Sequence, residues 1–166
     1  MNPLKPQNSR LIPTRESRAF HAARNRTFTP DKFESYTDWF YFIHIDPYTR
    51  ALHAFGMVVG TLLYVVSLYR FLVFGARPEA FLTLSAGAFF FYVFPLLSHY
   101  VYDGGGARST PGKFLPTLLP VIHINLLTLT GRFDSWLRRF VEKYPFTVAA
   151  WALREDPEGP RGRPEY

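Results

Sequence analysis

The sequence predicts an all-α protein, a multi-pass transmembrane helical bundle of two to four membrane helices with an interfacial helix beside them. Three observations predict it. Residues 51–130 hold most of the apolar mass of a chain that is 48% hydrophobic, while polar ends pull the overall mean hydropathy close to zero and hide the partition. Two stretches inside that region carry no formal charge over about the length that crosses a bilayer. Lys and Arg gather outside those stretches, where membrane proteins keep them.

Residues 1–30 read as a disordered basic tail, broken by Pro3, Pro6, Pro13 and Pro30 and carrying Lys5, Arg10, Arg15, Arg18, Arg24 and Arg26 against Glu16. They contain no apolar core of the kind a secretory signal needs. Residues 31–153 read as the membrane helical domain. Thr29-Pro30-Asp31 marks a helix start, and Phe33, Tyr36 and Phe40 recur at helical spacing in an aromatic-rich run to His44. Tyr and Trp favour the headgroup zone, so this run predicts a short helix lying at the interface.

Asp46-Pro47 is a second helix start, with a carboxylate able to cap free N–H groups and a proline where its missing N–H costs nothing. The first span follows over Ala51–Tyr69, 19 residues without a charge. Gly75-Ala76-Arg77-Pro78 turns the chain into a second span over Ala80–Tyr102, 23 uncharged residues with an internal Pro95. A third apolar stretch, Phe114–Thr130, is shorter and holds Pro116 and Pro120. Pro120 is expected to open its helix and Gly131 to stop it. The patch Pro145–Leu153 is too short to cross alone, and residues 154–166 read as a second disordered tail.

Basic residues flank the apolar region at both ends, eight before the first span and seven from Arg132 onward, against Arg70 and Arg77 between the first two spans. This places both termini in the cytosol and requires an even number of crossings. The expected location is the cytoplasmic membrane in a bacterium or the endoplasmic reticulum in a eukaryote. The net charge of +6 fits anchoring at a membrane surface, and no motif points to nucleic acid. The absence of cysteine excludes disulfides, thiolate zinc sites, iron–sulfur clusters and covalently attached haem.

Four histidines lie in or beside the apolar region: His44, His53, His99 and His123. His53 is two residues into the first span and His99 three residues before the end of the second, so antiparallel spans return both to within roughly 5 Å of one surface. His44 precedes Pro47 at that surface, and a helix opened by Pro120 puts His123 in its first turn. Asp103, four residues after His99, shares its helix face and supplies either a fifth ligand or a partner that orients the imidazole. Polar groups are costly in a membrane, so the convergence predicts a bound metal held by His44, His53, His99, His123 and Asp103.

The segments Tyr41-Phe42-Ile43-His44 and Arg50-Ala51-Leu52-His53, with Gly56 three residues on, resemble the opening motif of a family of small multi-pass membrane proteins that includes an Fe(II)-dependent 2-hydroxy-fatty-acid dioxygenase. Ser98-His99 with Asp103 is similar to the family's Gly-His followed four residues later by Glu, and Leu129-Thr130-Gly131-Arg132 resembles its close. The likeness covers about residues 33–140. Asp103 departs from the family's Glu, the Gly104–Gly112 loop is longer, and His123 has no counterpart.

The resemblance implies Fe(II) as cofactor, O2 and a membrane lipid or fatty acid as partners, and alpha-oxidation that shortens a 2-hydroxy fatty acid by one carbon. Neutral imidazoles suit Fe(II) and leave positions open, and Arg50 or Lys113 would hold the substrate carboxylate. Two other classes fit the residues: a non-enzymatic scaffold or lipid-binding protein, and a b-type haem protein with His53 and His99 as axial ligands. Gly56 and Gly60, four apart, suit close helix packing.

Overall fold

The computed structural model describes residues 9–103 and 114–151. Among them there are seven α-helices, one 3-10 turn over Pro30–Lys32 and no strand. The helices are α1 (Arg15–Thr27), α2 (Tyr36–Ile43), α3 (Pro47–Phe74), α4 (Pro78–Tyr102), α5 (Phe114–Leu129), α6 (Phe133–Lys143) and α7 (Phe146–Trp151).

Asp46 starts α3 as its sequence position suggests: its carboxylate accepts hydrogen bonds of 2.9 Å from the backbone N–H groups of Tyr48 and Thr49, and Pro47 takes the first helical position. Apolar residues then carry the helix to Phe74, and Gly75, at φ +77°, ends it in a conformation that costs a side-chain-bearing residue energy. Pro78 opens α4 and Pro95 is accommodated inside it. At 28 and 25 residues and about 1.5 Å per residue, both helices exceed the ~30 Å of a hydrocarbon core. Their flanks are exposed and apolar, with Leu62, Val65, Leu72, Leu82, Phe89 and Leu96 facing outward. Two helices are therefore long and apolar enough to cross a membrane.

The pairing of α3 with α4 is the main contact of the fold. A methyl group on Gly56 would lie 2.6 Å from the Phe90 carbonyl oxygen, and one on Gly60 2.8 Å from Phe91 Cβ and 2.9 Å from the Gly87 carbonyl oxygen. Only hydrogen fits at those two positions. Toward the far end Ser67 Oγ donates to the Ala80 carbonyl at 2.8 Å and Arg70 donates to Thr83 Oγ1 at 2.8 Å.

The buried apolar cluster sits at the opposite end of this hairpin. Phe28, Phe33, Trp39, Phe42, Ile45, Ile124, Phe133, Leu137 and Phe140 pack together there, drawn from the short helices, the connections that follow them and the middle of α5. Asp38 on α2 closes this end onto α6, accepting from Tyr144 Oη at 2.7 Å and from Lys143 Nζ at 3.0 Å.

Three expectations change. The segment read as a disordered tail contains α1, whose N-terminus is capped by Thr14 accepting from the Ser17 N–H at 3.1 Å. Its buried stripe is Ser17, His21, Arg24 and Asn25, a polar face that apolar periodicity does not reveal. The interfacial run divides into the 3-10 turn and α2 rather than one helix. Pro120 lies inside α5 instead of opening it, while Gly131, at φ +69°, follows the helix as its stop. Residues 154–166 and the glycine-rich loop lie outside the described residues.

Gly56→Leu or Gly60→Leu is expected to destabilise the hairpin by about 1–3 kcal/mol despite leucine's better helix propensity, read as a lower thermal midpoint by circular dichroism. Val66→Leu, on the outward face, is expected to leave the midpoint unchanged. The Asp38 clasp adds a pH dependence. Burial pushes its carboxyl up, but the bonds from Tyr144, Lys143 and Ser35 outweigh burial and hold it below its ordinary value. Stability from a depressed carboxylate is full above the unfolded value of about 3.9 and is lost as pH falls through the folded one. Lys143→Ala is therefore expected to raise the acid-unfolding midpoint followed by tryptophan fluorescence, and an unmoved midpoint would show the clasp to be inert.

Candidate metal centre

Three helices deliver three imidazoles to one point. His44 follows the last turn of α2, His53 is in the second turn of α3, and His99 is in the last turn of α4. Because α3 and α4 are antiparallel and locked in register by Gly56 and Gly60, the start of one and the end of the other share a level. All three side chains are buried. Their ring centroids are 4.7, 4.8 and 5.1 Å apart, and each pair of rings is within a few degrees of perpendicular. One ring nitrogen from each lies within 4.8 Å of the other two.

The outward nitrogens fix which nitrogens face inward. His44 Nδ1 is 2.7 Å from the Phe40 carbonyl oxygen, which can only accept, so Nδ1 carries the proton and Nε2 presents a lone pair. Burial, reinforced by His99 beside it, pulls His44 down to about 3, so its imidazole is neutral at physiological pH. His99 Nδ1 is 2.6 Å from Asp103 Oδ2. Burial pushes the Asp103 carboxyl up, but the His99 bond and the charge of Arg24 hold it below its ordinary value, so it accepts the Nδ1 proton. The two Nε2 atoms then face each other at 3.2 Å.

Two lone pairs at that distance repel unless a cation lies between them. A proton on His99 Nε2 would settle that pair but would leave His53, whose two ring nitrogens are both buried and without a hydrogen bond. Such groups cost about 1–3 kcal/mol each when unsatisfied. A metal ion would give one nitrogen of each of the three rings a partner, His53 included. An ion bound to imidazole nitrogens at about 2.1 Å spaces them about 3.0 Å apart at right angles and about 3.4 Å apart in a tetrahedron, which brackets the 3.2 Å between His44 and His99 Nε2, while the three donor atoms together lie within 4.8 Å of one another. The donor set thus fits a small metal ion. It does not fit a haem: a flat macrocycle would have to pass between the rings of His53 and His99, where His44 already stands.

Asp103 reaches the centre through His99, as an orienting partner. His123 does not join the group. It is exposed on the third turn of α5, where its Nδ1 shares a 2.6 Å hydrogen bond with the Tyr41 hydroxyl. The helix begins at Phe114, so His123 lies about 14 Å along it rather than in its first turn. Arg50 also has other work. Its guanidinium lies 3.4 Å from the centroid of the Phe133 ring and donates to the Ile45 carbonyl, and it does not line the cavity beside the histidines. Lys113 lies outside the described residues.

Sequence reasoning missed α1. Arg24, fully buried, places Nη2 4.0 Å from Asp103 Oδ1, and His21 also acts on that carboxylate. The signal was available as a polar stripe at helical spacing, Ser17, His21, Arg24. A cavity of about 170 Å³ opens beside the three imidazoles, walled by Trp39, Phe40, Ile43, Met57, Phe91, Leu96 and Val121. Protein-family models, curated proteins and solved structures give no match to this chain.

Asp103→Asn keeps the shape of the side chain but removes the charge that fixes the His99 tautomer. It is expected to weaken metal binding about 10- to 100-fold, measured by competition with a chromophoric chelator, while His123→Ala leaves the affinity unchanged.

Proposed function

We propose that this chain is a membrane-bound Fe(II)-dependent dioxygenase that shortens 2-hydroxy fatty acids by one carbon. The observation that carries the reading is the meeting of three buried, mutually perpendicular imidazoles from separate helices, two of them with their outer nitrogens already engaged. The motif resemblance around His44, His53 and His99 supplies the metal and the reaction.

His44, His53 and His99 would hold the iron, and a three-nitrogen set leaves positions free. When bound, iron supplies a redox centre at which O2 and the substrate's hydroxyl and carboxylate are activated. In the overall change the bond between the first two carbons breaks. The first carbon leaves as carbon dioxide, the second becomes the new carboxyl, and O2 is reduced, with one water formed. The chain's own residues do the positioning. Asp103 orients His99, and the Phe40 carbonyl orients His44. The apolar wall of Trp39, Phe91 and Leu96 receives hydrocarbon and keeps bulk water from the reacting head.

In this reading α3 and α4 cross the bilayer, α5 dips in beside them, and both termini face the cytosol, where Lys and Arg collect. The metal then sits at headgroup depth, with a fatty acid's head at the iron and its chain toward the lipid.

Elemental analysis of the purified protein tests the first half. Iron is expected in the wild type, lost in His44→Ala, His53→Ala and His99→Ala, and kept in His123→Ala. Unchanged iron in all three cluster variants would remove the site. Incubation with 2-hydroxypalmitate, Fe(II) and O2 tests the second half by the appearance of pentadecanoic acid. Iron retained with no turnover at any chain length would leave a metal-holding membrane protein without this activity.

A further inference from the structure

A second cavity, of about 270 Å³, lies in the groove between α3 and α5. Its lining includes Leu62, Ile122, Leu126 and Leu129, which are exposed on the outer surface of the pair. It and the histidine cavity have a residue in common, Met57. The linings also advance in step. The histidine cavity takes His53 and Met57 from α3 with Thr117, Leu118 and Val121 from α5, and the groove continues to Leu62 and Leu129. From His53 to Leu62 the track runs about 14 Å along the helix. The imidazoles stand at one end, and apart from Thr61 and Asn125 the groove is lined by hydrocarbon and the Met57 thioether.

Met57 is held in place at the boundary. Asn125 Nδ2 donates to Met57 Sδ at 2.8 Å and to the Val121 carbonyl at 2.7 Å. Asn125 is 95% buried by its 5% exposure, and its Oδ1 has no hydrogen-bond partner. A buried amide half satisfied in an apolar wall is costly, and the bond it makes fixes the side chain between the two cavities. A thioether is unbranched and turns about three bonds, so once that single bond is given up the divider can swing aside.

We propose that the two cavities form one path for the hydrocarbon chain of an amphiphile whose head lies at the histidines, and that Met57 determines how long a chain the path admits. Asn125 is the positioning residue for Met57. The inference rests on the reading of the histidines as a metal site for a substrate's polar head. Short chains end in the histidine cavity. Longer ones displace the thioether and continue along α3 and α5 toward the lipid.

Photo-cross-linking in phospholipid nanodiscs tests this. The probes are 2-hydroxyoctanoate and 2-hydroxyhexadecanoate, each with a terminal diazirine, and a hexadecane diazirine without the acid head. Labelled residues are located by mass spectrometry. The short acid is expected to label the wall near Phe91 and Leu96, and the long acid to label Leu62 and Leu126. Met57→Trp should abolish long-acid labelling of the groove and keep short-acid labelling of the cavity, while weak labelling by the headless probe does not change. Met57→Phe serves as the second variant should the tryptophan prevent folding. Groove labelling that is equal in variant and wild type, or a labelling pattern that ignores chain length, overturns the proposal. Iron content of the same samples separates the two readings. Iron with length-independent labelling removes the path and keeps the metal site. Length-dependent labelling without iron removes the metal site and keeps the path.

Discussion

The closeness of α3 and α4 at Gly56 and Gly60 governs what happens at the histidine end. With hydrogen alone between the helices at those positions, backbone meets backbone, and the pair cannot slide without driving a glycine against Phe90, Phe91 or Phe94. A fixed register brings the second turn of one helix level with the last turn of the other. His53 and His99 are neighbours for that reason, and Tyr48 and Tyr102 stack 5.6 Å apart one step further out. A slip of one turn, about 5.4 Å, would separate imidazoles that must act within a space smaller than that.

The third ring comes from outside the hairpin, so its placement has a different origin. His44 ends α2, whose other face is locked into the aromatic cluster by Trp39, Phe42 and Ile43. The cluster holds α2, the Phe40 carbonyl holds the ring, and the ring meets the two on the hairpin. On the far side Asp103 and α1 do the same for His99. The centre is therefore framed by the short helices as much as by the long ones.

Much of this was legible in the residues. Uninterrupted apolar runs announce α3 and α4, and Asp46-Pro47 and Gly131 mark a start and a stop through chemistry that acts locally. The level shared by His53 and His99 follows from counting along two antiparallel helices. What was not read depends on partners. The stripe of α1 is polar and gains its burial from Asp103 and Phe42, which lie far along the chain. Pro120 looks like a helix opening because the residues before it include another proline, yet Pro116 falls in the first turn of α5, where a missing N–H is harmless, and the helix runs on through both. That displacement by two turns carried His123 away from the other three. Arg50 showed its charge in the sequence but not the Phe133 ring that claims it.

The position of the aromatic cluster divides the molecule into a self-covered end and an apolar hairpin left bare. Trp39, Phe42, Phe133 and Phe140 bury one another as in any water-soluble core, and need no lipid to do so. The outer flanks of α3 and α4 have no such mutual cover, and beyond Gly60 the hairpin relies on contacts such as Ser67 to Ala80, which water competes for and hydrocarbon does not. In the membrane reading proposed above, extraction from a bilayer would loosen the molecule from its distal turn inward, and the imidazole end, enclosed by its own core, would be the last part to lose its shape.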